Sequence, residues 1–125
     1  MAIRRLKEVV IVAQDVDGAL ARYRDNLGLE GMGCAEGVEG RVPLGETSLV
    51  ILSPQAAAER LSNWPGGQEG LASLTLEVDD LEGLVSRLRR AGIEVVGPEE
   101  KEGLQVAFLP AEWAYGVPLY LVQKP

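Results

Sequence analysis

Acid, hydroxyl and phenol groups are the chemistry this chain has to offer. Its 125 residues contain no histidine and one cysteine, Cys34. A nucleophilic thiol needs a neighbour that stabilises the thiolate. Without an imidazole to do this, Cys34 reads as a small apolar residue, and a lone cysteine forms no disulfide within the chain. The more suggestive residues lie in Ser73-Leu-Thr-Leu-Glu77. Side chains alternate along a strand, so Ser73, Thr75 and Glu77 share one face and Leu74, Leu76 and Val78 the other. Such a strand packs its apolar side under a helix and turns its polar side toward something wetter. A similar strand begins at Glu8, whose carboxylate is the polar exception among Val9, Val10, Ile11 and Val12. A carboxylate among apolar walls can act as a general base. Each of these residues also has a plainer reading. Glu8 can reach solvent from a strand end, and Ser73 and Thr75 can hydrogen-bond locally.

The elements that position these groups come in two copies. Glu8 and Ser73, which open the two strands, and Asp15 and Asp80, which close them, stand the same 65 residues apart. A repeat of this kind indicates a duplicated unit. In each copy the aspartate (Asp15; Asp79 or Asp80) is a good helix N-cap. The helices it opens are predicted at Val16–Leu27 and from Leu81. Their apolar faces are Val16, Leu20, Tyr23 and Leu27, and Leu81, Leu84, Val85 and Leu88. Gly28 and Gly92 suit the left-handed position after a helix. Strands are expected near Gly31–Cys34, Glu39–Val42 and Ser48–Ser53, and again at Ile93–Val96, Leu104–Leu109 and Val117–Val122, with Leu29-Glu30 as a short strand opener. Behind Pro54, the run Gln55–Leu61 reads as a short helix. The order is β-α-β-β-β, twice: a module over 1–54, a linker over 55–70 and a second module over 71–125.

Composition narrows the function classes. Apolar residues make up 46% of the chain and charged ones 25%, which is ordinary for a packed domain and argues against disorder. A net charge of −7 leaves no basic stripe for phosphates. Arg87, Arg89 and Arg90 cluster where a helix should end, where they complement its dipole; no nucleic-acid partner is expected. The apolar run Val9–Ala13 is too short to span a membrane or to form a signal-peptide core, so no membrane partner and a cytoplasmic location are expected.

Three stretches carry a family resemblance. Asp15 through Leu27-Gly28-Leu29, with Tyr23 inside the helix, resembles the first-module pattern of the vicinal oxygen chelate superfamily, which holds glyoxalases, bleomycin-resistance proteins and dioxygenases. Glu77 through Ile93 resembles the second-module pattern, and Val106–Leu109 with Gly116–Val122 resembles the closing hairpin. Each motif alone is weakly specific; their order and spacing are more so. The resemblance implies an α+β fold of two βαβββ modules in tandem, forming curved mixed sheets around a shared cleft, and a homodimer. It also implies a divalent metal held by one ligand from each of four strands. Carried onto this chain, those positions are Glu8, Val50, Ser73 and Tyr120, with Ser48 and Glu46 as the polar residues nearest Val50. Only Glu8 is an ordinary ligand. A catalytic divalent site needs about three protein donors and an open position, so no metal and no cofactor are expected.

The same resemblance places Glu8, Val50, Ser73, Thr75, Glu77 and Tyr120 on the cleft wall, beside Val10, Val12 and Leu52. An apolar pocket with a few convergent polar groups is the usual form of a small-molecule site. Trp113 and Tyr115 fall in a loop near its mouth, and Trp64 in another loop. Two functions follow. One is a metal-free small-molecule-binding protein of the glyoxalase/bleomycin-resistance type, whose members resemble this chain in being acidic and in lacking metal ligands. The other is an enzyme of the glyoxalase, epimerase or lyase group, with Glu8 as base and Tyr120 as proton donor or oxyanion partner.

Overall fold

A computed structural model describes residues 3–30, 32–35, 37–61, 66, 69–110 and 116–123, the side chains of 32–35 excepted. Cys34, Trp64, Trp113 and Tyr115 therefore lie outside the described side chains. The chain divides into two compact units, Glu8–Ala72 and Ser73–Pro125, the latter joined by Met1–Lys7. The fold is α+β, and each unit follows the β-α-β-β-β order.

In the N-terminal unit, β1 (Ile3–Val12, from Glu8 onward) is followed by α1 (Val16–Leu27), β2 (Met32–Ala35), β3 (Glu39–Leu44), β4 (Thr47–Leu52) and the short α2 (Pro54–Arg60). β1 runs parallel to β4, and β4–β3 and β3–β2 are antiparallel. Both faces of β1 are apolar, as the sequence indicates, and each has its own partner. Val9 and Ile11 lie with Val42, Leu49 and Ile51 against Val16, Ala19, Leu20 and Tyr23 of α1. Val10 and Val12 lie with Val50 and Leu52 against Ala56 and Ala57 of α2. Leu27, expected on the packed face of α1, is 65% exposed and takes no part in this cluster.

In the C-terminal unit, β5 (Gly70–Val78, from Ser73 onward) leads into α3 (Leu81–Arg90), β6 (Val96–Lys101), β7 (Leu104–Leu109) and β8 (Leu119–Gln123). β5 runs parallel to β8, and β8–β7 and β7–β6 are antiparallel, the same pattern as in the first unit. Leu76, Val78, Ala107, Leu109 and Leu121 pack on Leu81, Leu84, Val85 and Leu88 of α3. The duplicated caps hold in detail. Asp15 accepts from the Gly18 amide at 2.9 Å and Asp80 from the Gly83 amide at 3.1 Å. A Cβ on either glycine would stand 2.3 Å from the capping carboxylate, so glycine at this position keeps room for the cap.

One expected strand is displaced. Ile93, Glu94 and Val95 are not in a strand; β6 begins at Val96. The Ile93 amide closes the end of α3 on the Leu88 carbonyl, and the Ile93 and Val95 side chains pack against that helix. Arg89 donates to the Val95 carbonyl at 3.1 Å and also to the Gly97 carbonyl. The Ile93 amide and the Val95 carbonyl are thus taken before a ladder can use them. Leu29-Glu30 is likewise outside any strand, since the Leu29 amide bonds back to the Tyr23 carbonyl. Among the described residues no helix is long and apolar enough to cross a membrane.

Candidate functional site

The sequence-predicted residues fall on two sheet faces, one in each unit. Residues paired across neighbouring strands project to the same side. In the N-terminal unit, Glu8 pairs with Ser48, Val10 with Val50 and Val12 with Leu52, while Arg41 and Glu39 of β3 pair with Val50 and Leu52. Glu8, Val50, Arg41 and Glu39 therefore share the face opposite α1. Their charges form a chain. Arg41 Nη1 donates to Glu8 Oε2 at 3.0 Å, and Arg41 Nε donates to Glu39 Oε2 at 3.2 Å. Arg60, at the end of α2, donates to the other oxygen of Glu39. Glu39 is 8% exposed, and a buried carboxylate needs such partners to offset its desolvation. Arg41, held from two sides, is the centre of this chain.

The C-terminal unit presents the other set. Thr75 pairs with Tyr120 and Glu77 with Val122, while Phe108 pairs with Tyr120 from the other side. The ring centroids of Phe108 and Tyr120 are 5.0 Å apart and tilted by 50°, a favourable aromatic geometry. Glu77 receives the Arg5 guanidinium at 3.3 and 3.4 Å. This polar face, expected to be the wetter one, is covered: Ser73, Thr75 and Glu77 are all buried. Ser73 stands apart from its neighbours. It is 1% exposed, and its Oγ has no hydrogen-bond partner among the described residues. A buried hydroxyl without a partner costs about 1–3 kcal/mol.

The four positions where the family resemblance implies a metal do not form a donor set. Glu8 is bonded to a guanidinium, a cation already at its carboxylate. Val50 offers no donor atom and is packed with Val10, Val12 and Leu52. Ser73 and Tyr120 are neutral oxygens that bind divalent ions well only when deprotonated. Of the nearby polar alternatives, Ser48 shares the face of Glu8 through its pairing, whereas Glu46 is exposed in the turn between β3 and β4. No group of three or more acidic or cysteine side chains able to hold a metal occurs among the described residues. The residues present do not fit the metal.

Sequence reasoning missed Arg5, Glu39, Arg41 and Arg60. The alternation Glu39-Gly-Arg41 marks two charges on one face of a strand, which is a signal. Which face it is, and which carboxylate waits there, depends on the pairing of β3 with β4.

Comparison with known proteins gives one family and a set of similar folds. The Glyoxalase/Bleomycin resistance protein/Dioxygenase superfamily profile matches residues 5–108. A methylmalonyl-CoA epimerase solved with methylmalonyl-CoA and NH4+ is 21% identical, with a TM-score of 0.74 over 98% of this chain and 96% of that one. The methylmalonyl-CoA epimerase of Mycobacterium tuberculosis is 22% identical, with a TM-score of 0.73 over 99% of this chain and 90% of that one. The Streptomyces coelicolor methylmalonyl-CoA epimerase, solved with 2-nitronate-propionyl-CoA, is 20% identical, with a TM-score of 0.74 over 98% and 99%. At these identities the likeness is one of fold. No curated protein sequence matches the chain.

Proposed function

This chain belongs to the Glyoxalase/Bleomycin resistance protein/Dioxygenase superfamily, and from that premise we propose that it is a metal-independent small-molecule-binding protein of the glyoxalase/bleomycin-resistance type. The observation that carries the proposal is the Arg41 guanidinium on the Glu8 carboxylate at 3.0 Å. It supplies a fixed positive charge at the first position where the family resemblance implies a metal, and Val50 at the second has no donor atom. Ligand contacts are assigned to the face of Glu8 and Val50 in one unit and to that of Ser73, Thr75, Glu77 and Tyr120 in the other. Trp113 and Tyr115 complete the assignment from sequence; both lie outside the described residues. The protein is proposed to act in the cytoplasm as a homodimer, which sizing by light scattering checks.

The same pairing weighs against Glu8 as a general base, because one of its two carboxylate oxygens already accepts from Arg41. The test is a small-molecule library screened by thermal shift, with hits repeated in chelator. The expected result is a saturable ligand whose affinity is unchanged by chelator and that is not turned over. A hit that is consumed, with turnover lost in Glu8→Gln, would establish the enzyme instead. A hit that binds only with added divalent metal would overturn the metal-independent reading.

A further inference from the structure

A concavity in the N-terminal unit lies over the incompletely covered edge of the α1 cluster. It has a volume of about 540 Å³, and its lining includes Ile11, Ala13, Ala19, Tyr23, Asp15 and Glu69. Ile11, Ala13, Ala19 and Tyr23 all belong to the rim of the α1 core and are only partly buried. They form an apolar floor with one aromatic ring. A volume of this size is in the range of small-molecule sites.

Two carboxylates stand over this floor, and each is held in place by one of its oxygens. Asp15 Oδ1 accepts from the Gly18 amide at 2.9 Å, and Glu69 Oε1 accepts from the Gln14 amide at 2.8 Å. A backbone amide fixes a side chain more firmly than another mobile side chain does. The second oxygen of each carboxylate makes no hydrogen bond or ion pair with a described side chain. Arg22 also lines the concavity, but it is exposed on a long flexible stem and bonds to neither acid.

We infer that this concavity is a second binding site and that its ligand is a small amphipathic amine. The ammonium group is received by the second oxygens of Asp15 and Glu69, and the apolar body lies on Ala19 and the Tyr23 ring. Charge-assisted hydrogen bonds and the ring face both favour a cation. An organic anion would instead meet two fixed negative charges. The inference is independent of the proposed function, since it uses none of the residues assigned there.

The test is calorimetry and amide NMR with three probes of one shape: 2-phenylethylamine, 2-phenylethanol and 3-phenylpropionate. The expected result is one saturable site for the amine, with shift changes at Gly18, Ala19 and Gly70. The alcohol and the acid should bind about ten-fold more weakly or not at all. Glu69→Gln should weaken the amine about ten-fold, and Arg22→Ala, an exposed change that leaves the fold intact, should strengthen it. Equal binding of all three probes, shift changes elsewhere, no detectable binding of the amine, or an affinity indifferent to both substitutions would overturn the proposal.

Discussion

Replacing Ser73 by alanine should stabilise the protein and weaken its ligand. In the free protein the Ser73 hydroxyl is 1% exposed and has no partner among the described residues. Folding therefore strips it of water and, among the described residues, returns no partner, at a cost of about 1–3 kcal/mol. Alanine removes that cost and leaves a void of a single oxygen atom, worth about 0.5 kcal/mol in lost contacts. The net expectation is a gain of roughly 0.5–2.5 kcal/mol, or a rise of about 2–10 °C in Tm for a domain of this size. Urea melts monitored by circular dichroism measure the first quantity and calorimetry with a screened ligand the second. If the hydroxyl is held in reserve for a ligand, binding should fall about five- to ten-fold in the same variant. A variant less stable than the parent by more than about 0.5 kcal/mol would refute the reasoning, because it would show that the hydroxyl is already satisfied.

Three further outcomes follow from the same geometry. Arg41→Met should destabilise by about 1–2 kcal/mol, since it strips a partner from the buried Glu39 while Arg60 retains the other oxygen. In double-mutant cycles read by urea melts, the Arg41–Glu39 coupling should exceed that of Arg41–Glu8, whose acid is the more exposed partner at 23% against 10%. Asp15→Ala and Asp80→Ala should each cost about 1 kcal/mol in thermal melts, because the two caps have the same geometry.

The parts of the fold that were legible in the sequence are those set by local chemistry. Val16–Leu27 announces itself through an aspartate cap, an apolar stripe and a closing glycine, and the helix has those bounds. The second copy repeats the signal at Asp80, and the offset of the two aspartates reveals the duplication. Ile93–Val96 was misleading because an apolar, β-branched run looks the same whether it pairs in a ladder or packs on a helix. Arg89 helps decide the matter, by taking the carbonyl of Val95. Alternation identified the polar face of Ser73, Thr75 and Glu77, but it says only which way a side chain points and nothing of what covers it. Their burial depends on packing that alternation does not encode. The ion chain through Arg41 was also beyond reach, since Glu8 and Arg41 are 33 residues apart and meet only through the shared pairing of β1 and β3 with β4.

The central claim is that Arg41, and not a metal, supplies the positive charge at Glu8. Native mass spectrometry of the purified protein, before and after incubation with Mn2+, Co2+, Ni2+ and Zn2+, tests it most directly. The expected result is no stoichiometric metal in either sample and the same masses for Glu8→Ala apart from the substitution itself. One divalent ion per chain in the parent protein, absent from Glu8→Ala, would contradict it.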